Sequence, residues 1–423
     1  MNVVKKIIQE HMGYSHVDLK RDNHVMINLD FIYSNGLTLA SAVKELNKMG
    51  KCKLWDVDKL AVFPDHFTPN KDIPTANLKK GVREWVKFNH VSNYYEVGDV
   101  GIEHVQFVEE GYVAPGSIVI GGDSHSCSLG ALGILSFGVG TTDLAYGLAS
   151  GKMWLRIPNI IRINLEGTND KKYFSGKDVI LKILRDFDPQ KLNYSILVFS
   201  GRGCHALNFN DRFTISNMSV EGGAKTAFFY PESKILKAIN YKNTASNYLD
   251  YNQENDEFDE VYTVNLEDID YQVSLPDLPR NSVSVNELSP EEVALDQVFI
   301  GSCTNGHIDD FRIVADILKN KKRNSDTRLI IIPSTPSIYK QALEEGLIKI
   351  FLDAGAVIGP PTCGPCLGGH MGVLGDGETC LATTNRNFKG RMGSTESRLY
   401  LSSPAVAAAS AVTGYIANPE VVK

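Results

Sequence analysis

Short β-branched runs alternate with helical patterns along most of this chain, and that alternation limits the fold more than any other feature. Extended runs fall at 117–121, 160–165, 195–200, 297–300 and 328–332, and helical patterns at 76–88, 142–154, 177–186, 309–319 and 337–345. A strand that leads into a helix and then another strand is the repeating unit of parallel sheets, so the expected class is α/β. The 423 residues leave room for roughly two to four domains. One break is expected near Pro158. A second is expected at 275–285, which carries two prolines and reads as a linker. These breaks divide the chain into 1–157, 158–284 and 285–423. The acidic tract 250–270 reads as a surface loop or hairpin.

Composition excludes several functions. The net charge of -7 is spread along the chain, and the short basic run at 319–323 reads as a solvated helix end, so no nucleic-acid footprint is expected. The cysteine count of seven is odd and sparse, which does not suit a disulfide framework. The first residues pattern as an amphipathic helix broken by charge, not a signal peptide. The most apolar stretch, 404–417, is Ala-rich and too broken to span a bilayer. A cytoplasmic location is expected, where reducing conditions keep thiolates free for metal.

Three of the cysteines carry the chemistry. Cys303 lies in Gly-Ser-Cys-Thr-Asn-Gly, and Cys363 and Cys366 lie in Pro-Thr-Cys-Gly-Pro-Cys. Three thiolates are one short of closing a zinc or four-iron site, and an incomplete set can leave a metal position open to substrate. Cys303 comes after a strand-like run and precedes a helical one, which places it where open α/β sheets bind ligands. Two other readings of the C-x-x-C pair stay open at this level: a zinc knuckle closed by His370 or Cys380, and a redox dithiol.

Acid–base groups cluster in other strand-end turns. Asp65 and His66 are adjacent, Asp123-Ser124-His125 comes after an apolar run, and His104 closes Gly-Ile-Glu-His. A carboxylate beside a histidine fixes its tautomer and prepares it to give a proton to a leaving hydroxyl. Asp-Ser-His in a row is not a hydrolase triad, whose members meet from separate segments. Arg386 and Arg391 flank an aromatic and a glycine, and two guanidinium forks so placed suit a dicarboxylate. Asn217 and Glu221 are four apart and would share one face of a helix. Residues 201–206 fit a loose G-x-G-x-x-A pattern, but 208–211 interrupt the helix a dinucleotide site needs. The glycine-rich stretch 130–140 allows close approach, either to backbone or to a ligand.

Seven segments taken together resemble the aconitase superfamily, and within it the branch of 3-isopropylmalate dehydratase and homoaconitase large subunits. They are Asp-His-Phe-Thr-Pro, Gly-Ile-Glu-His, Gly-Asp-Ser-His, Arg-Phe-Thr-Ile-Ser-Asn-Met, Gly-Ser-Cys-Thr-Asn-Gly, Pro-Thr-Cys-Gly-Pro-Cys and Asn-Arg-Asn-Phe-Lys-Gly-Arg. The resemblance implies three aconitase-type α/β/α domains around a cluster cleft, without the C-terminal swivel domain. It implies a [4Fe–4S] cluster on Cys303, Cys363 and Cys366, with one iron that no cysteine holds. It implies that His66 with Asp65 protonates the departing hydroxyl, and that Asp123, Ser124, His125 and His104 form a polar network. Glu221 and Asn217 would reach the ligand shell of the open iron, and Arg386 and Arg391 would bind substrate carboxylate.

The same resemblance implies a hydro-lyase that moves a hydroxyl between adjacent carbons of a small hydroxy di- or tricarboxylate. The first-ranked substrate is 3-isopropylmalate, in leucine biosynthesis; homoaconitate and 2,3-dimethylmalate chemistry are the rivals. A separate small subunit of about 160–170 residues is expected to bring the swivel domain and its serine base, on the ordinary scale of one domain. A regulator that binds RNA when iron is lost is the competing class, and the acidic charge argues against it. Two departures stand out. Gly36-Leu37-Thr38-Leu39-Ala40 replaces the family's Asp-x-Thr-x-Pro, and His307 replaces the arginine usual after Gly-Ser-Cys-Thr-Asn-Gly.

Overall fold

The computed structural model describes residues 1–13, 19–50, 53–253, 255–289 and 293–422. The chain forms two compact units. The first comprises Met1–His66, Asn70–Glu166 and Asp188–Val264, and the second Phe67–Pro69, Gly167–Phe187 and Asn265–Lys423.

A five-stranded, all-parallel sheet organises the start of the first unit. Its spatial order is Asn93–Tyr94, Leu60–Phe63, Phe31–Asn35, Ile118–Gly121, Leu135–Gly138. The three middle strands are apolar and almost wholly buried, as strands covered on both faces must be. A further sheet of the same unit has the order Thr226–Phe229, Ser195–Ser200, Asn159–Glu166, Glu260–Asn265, and its first three strands are parallel. Both sheets share one packed layer. The 3₁₀ segment Ser124–Leu132 lies against Thr226–Phe229 so closely that a Cβ on Gly130 would stand 2.1 Å from the Ala227 carbonyl oxygen. The glycine-rich stretch therefore serves backbone-to-backbone approach at this point.

The second unit is built on a seven-stranded sheet. Its order is Ser282–Ser284, Gln272–Ser274, Arg398–Ser402, Thr379–Ala382, Gln297–Ile300, Arg328–Ile331, Val357–Ile358. The first two steps are antiparallel and the remaining ones parallel. The helix Pro404–Thr413 is buried along most of its length here, which explains why 404–417 is so apolar. No helix among the described residues is long and apolar enough to cross a membrane.

Most expected elements fall where patterning placed them. Strand Ser195–Ser200 coincides with expectation, and helices Ile73–Phe88, Gly176–Asp186, Ile308–Leu318 and Pro336–Glu344 differ by a few residues at most. Three readings need correction. The helix expected over 142–154 stops at Ser150, because Gly151 caps it in the left-handed region (φ 67°) and Lys152–Arg156 pairs with His24–Asn28 as an antiparallel ribbon. The expected linker at 275–285 contains the edge strand Ser282–Ser284, hairpinned onto Gln272–Ser274. The acidic tract contributes a real strand, Glu260–Asn265, with residue 254 lying outside the described residues.

Replacing Gly130 with alanine should cost about 1–3 kcal/mol, because a backbone carbonyl cannot move aside as a side chain can. Urea unfolding monitored by circular dichroism measures the loss.

Candidate functional site

In the first unit the polar candidates leave the carboxyl ends of three adjacent parallel strands. Asn35 ends Phe31–Asn35, Asp65 comes just after Leu60–Phe63, and Asp123 just after Ile118–Gly121. Asn35 caps the helix Gly36–Lys48 and Asp123 caps the 3₁₀ segment Ser124–Leu132, so both side chains turn out of the sheet at its carboxyl edge.

Asp65 is completely buried, with both oxygens engaged. Oδ1 meets His66 Nδ1 at 2.7 Å, and Oδ2 accepts the Glu103 backbone N–H at 3.0 Å. The Asp65 contact at Nδ1 fixes the orientation of the His66 ring.

Asp123 anchors a second array. Its Oδ1 accepts the His125 backbone N–H at 2.8 Å and faces His104 Nε2 at 3.1 Å and His125 Nδ1 at 3.2 Å. Burial alone would raise the Asp123 carboxyl, but the hydrogen bonds from His104 and His125 hold it well below its usual range. The far nitrogen of His125 meets Glu221 Oε1 at 2.9 Å, so this ring has a carboxylate oxygen at each end. Tyr33 donates its hydroxyl to His104 Nδ1 at 2.8 Å. That contact fixes the tautomer, since burial pushes the phenol well up and keeps its proton. Ser124, half-buried, opens the 3₁₀ segment that carries His125.

Asn217 and Glu221 do not share a helix face. The helix Phe209–Met218 ends between them, and Glu221 sits in the 3₁₀ turn Ser219–Gly222. Asn217 is buried and donates to Ser128 Oγ at 2.8 Å. The interruption expected at 208–211 is real: Asn208 and Asp211 form a capping box that starts this helix afresh, and 201–206 contributes only a short 3₁₀ turn.

Glu103 escaped the reading from sequence as a site residue in its own right. It is fully buried, accepts one hydrogen bond from Asn35 Nδ2 at 3.0 Å, and leaves Oε2 without a hydrogen-bond partner. Burial, and then the nearby Asp65 and Asp123 charges, push its carboxyl well up.

The second unit holds the thiols. Cys303 lies just beyond strand Gln297–Ile300, and Asn385 just beyond its neighbour Thr379–Ala382. Asn385 Nδ2 donates to Cys303 Sγ at 3.4 Å, and Cys366 Sγ lies 3.8 Å from Asn385 Oδ1. Ser302 Oγ lies 3.8 Å from Cys303 Sγ and 3.9 Å from Cys366 Sγ. Two thiols from segments 63 residues apart in sequence thus meet on the same two side chains. Cys363 precedes the 3₁₀ turn Gly364–Leu367 that carries Cys366, and Cys366 N–H bonds the Cys363 carbonyl at 3.2 Å. None of the six described cysteines is engaged in a disulfide.

Local strain marks the Cys303 turn. Ser302 sits at φ 75°, a region that costs a non-glycine residue about 1–3 kcal/mol. His307 then locks the far side of the turn. Its ring lies 3.1 Å from the Cys303 carbonyl oxygen, its backbone N–H bonds Asp310, and burial lowers its pKa to about 4.

This donor set suits an iron–sulfur cluster better than a closed zinc site. Cys380 is excluded as a fourth ligand, because it lies within strand Thr379–Ala382 among Phe299, Ile332 and Leu374, and burial pushes its thiol up to about 12. His370 packs edge-on to Phe67, with ring centroids 6.3 Å apart. Arg391, on the turn beyond Asn385, brings Nη2 to 3.7 Å from Cys366 Sγ, with Phe388 against its guanidinium. Arg386 is half-buried on the same turn.

The family model described as the aconitase family (aconitate hydratase) matches residues 5–414. A 3-isopropylmalate dehydratase large subunit of Caldicellulosiruptor saccharolyticus is 47% identical over 99% of this chain and 97% of its own length. The protein of that name in Clostridium kluyveri is 45% identical, over 100% of this chain and 99% of its own. Among solved structures, aconitase X of Thermococcus kodakaraensis has a similar fold, with a TM-score of 0.52 and 12% identity over 88% of this chain and 87% of that one.

Replacing Asp123 with asparagine should lower stability at pH 7 by about 1–3 kcal/mol, since two imidazoles lose an ionised acceptor. The folded carboxyl is depressed, so its contribution is complete above the unfolded value of about 4 and fades as pH falls toward the folded value. Urea titrations of both proteins should therefore differ at pH 7 and converge in acid; a gap that widens in acid would contradict the assignment.

Proposed function

The chain belongs to the aconitase family, and we propose that it is the cluster-bearing large subunit of a hydro-lyase that interconverts 2- and 3-isopropylmalate by dehydration and rehydration, a step of leucine biosynthesis. One observation carries this reading: Cys303 and Cys366 meet as thiols, outside any disulfide, on Asn385 and Ser302. Relatives named for this reaction match the chain over its full length.

Cys303, Cys363 and Cys366 would hold a [4Fe–4S] cluster, which when bound supplies a Lewis acid to substrate oxygens through the iron that no cysteine occupies. The residues of the chain supply the rest. His66, oriented by Asp65, gives a proton from Nε2 to the departing hydroxyl. The carbon–oxygen bond breaks, water leaves, and the proton on the neighbouring carbon passes to a base on a small-subunit partner. Asp123 keeps His104 and His125 oriented, and Ser124, Asn217 and Glu221 complete that polar network. Arg386 and Arg391 bind substrate carboxylate, for which guanidinium geometry is suited.

The test is reconstitution under anaerobic conditions with a small subunit of the same organism. The complex should bind iron and sulfide and isomerise 3-isopropylmalate, while the large chain alone should not turn over. Homoaconitate preferred over isopropylmalate would reassign the substrate, and zinc bound in place of iron and sulfide would defeat the reading. Cys366→Ser should abolish or severely reduce the broad visible absorbance of the cluster. Arg391→Lys should weaken substrate binding by about 1–3 kcal/mol, the scale of a charge-assisted hydrogen bond, as measured by KM of the complex.

A further inference from the structure

Lys177 sits where a lysine is least expected. It lies in the first turn of the helix Gly176–Asp186, the end whose dipole repels a cation, and it is completely buried. Among the described residues it is the only lysine with no exposed surface. Two unfavourable terms, desolvation and the helix dipole, act on one side chain, so its surroundings must offset them.

Those surroundings are specific. Nζ lies 2.7 Å from the Thr384 carbonyl oxygen, 2.8 Å from the Thr383 carbonyl oxygen and 3.2 Å from Asn305 Oδ1. All three partners are used as acceptors, and three of them require three N–H donors, which only the ammonium form has. Burial pulls Lys177 down to about 7, while Cys303, Asp310, Cys366 and Asp178 oppose the fall. Asn305 is two residues past Cys303, and Thr384 is the residue before Asn385, whose amide bridges Cys303 and Cys366. The same two strand ends are also tied by Thr304 Oγ1, which donates to the Thr383 carbonyl at 2.6 Å, and by Gly301 N–H, which donates to Thr383 Oγ1 at 2.9 Å. Lys177 reaches both strand ends from outside them and brings a charge to the place where they meet.

We propose that Lys177 is a positioning residue of the thiol site: the three N–H donors of its ammonium clamp the Cys303 turn to the Asn385 turn and bring a positive charge beside the cluster ligands. The inference rests on the cluster reading above. Its chemistry is that of groups around metal ligands, which hold donors in place and tune the bound centre through charge and hydrogen bonding.

The test uses the full chain carrying Lys177→Met, which keeps length and removes charge, and Lys177→Arg, which keeps charge. In the metal-free proteins, hydrogen exchange across 302–306 and 383–385 should rise about tenfold in K177M and stay near wild type in K177R. After anaerobic loading with iron and sulfide, K177M should lose iron to a chelator about 10–100-fold faster. Its midpoint potential should move to more negative values, since removing a cation disfavours the added electron, and K177R should restore it. Unchanged exchange and unchanged potential in K177M overturn the proposal. Failure of both variants to fold, seen by circular dichroism, also overturns it, because Lys177 would then be a folding determinant. A wild-type chain that takes up no iron or sulfide defeats the cluster reading alone, and the exchange comparison still judges the clamp.

Discussion

Parallel pairing of neighbouring strands is the constraint on which the rest depends. Each parallel strand must end at the same edge of its sheet as its neighbours, and each then turns into a helix or loop whose first backbone N–H groups lack partners. Asn35 and Asp123 solve that problem by capping the helical segments they open, and at the same edge they meet Glu103 and two histidines. In the second unit the same rule brings Cys303 and Asn385 off adjacent strands. Chemistry-bearing residues far apart in sequence are thereby gathered without any special loop.

Buried polar groups then decide what each edge can do. At the polar edge of the first unit carboxylates meet N–H groups: Asp65 meets His66 and a backbone amide, Asp123 two imidazoles, and Glu221 the far side of His125. Glu103 is bonded at one oxygen only, and burial with the Asp65 and Asp123 charges pushes its carboxyl well up. In the second unit the thiols of Cys303 and Cys366 share the Asn385 amide and the Ser302 hydroxyl, with the Arg391 guanidinium beside Cys366, while Cys380 lies in an apolar strand interior and keeps its proton. Environment, not residue type, separates cysteines in polar surroundings from packing cysteines.

Much of this was legible in the chain. Cys303, Cys363, Cys366 and the Asp-His pairs stand in compact motifs that carry the resemblance to the family, and the strand-to-helix alternation carries the class. The hidden part depends on contacts distant in sequence. Lys177 reads as an ordinary helix residue until 305, 383 and 384 close around it; its one local signal is a cation in a first helical turn. Glu103 is visible within its motif, yet the upward shift of its carboxyl comes from burial and from Asp65 and Asp123, which are remote in sequence. The edge strand at 282–284 was masked by prolines, which an edge position tolerates. The helix break after Met218 depends on a tight turn that residue spacing alone cannot reveal.

The contact of Gly130 with the Ala227 carbonyl has a mechanical meaning. Thr226 Oγ1 also bonds the Ser136 carbonyl, and Lys225 the Gly138 carbonyl, so the two sheets of the first unit are riveted at three points along one seam. His125 belongs to one side of that seam and Glu221 to the other. Sliding either sheet would part them, and the rivets forbid sliding. The imidazole–carboxylate array is therefore assembled by the packing of the two sheets, before any ligand arrives.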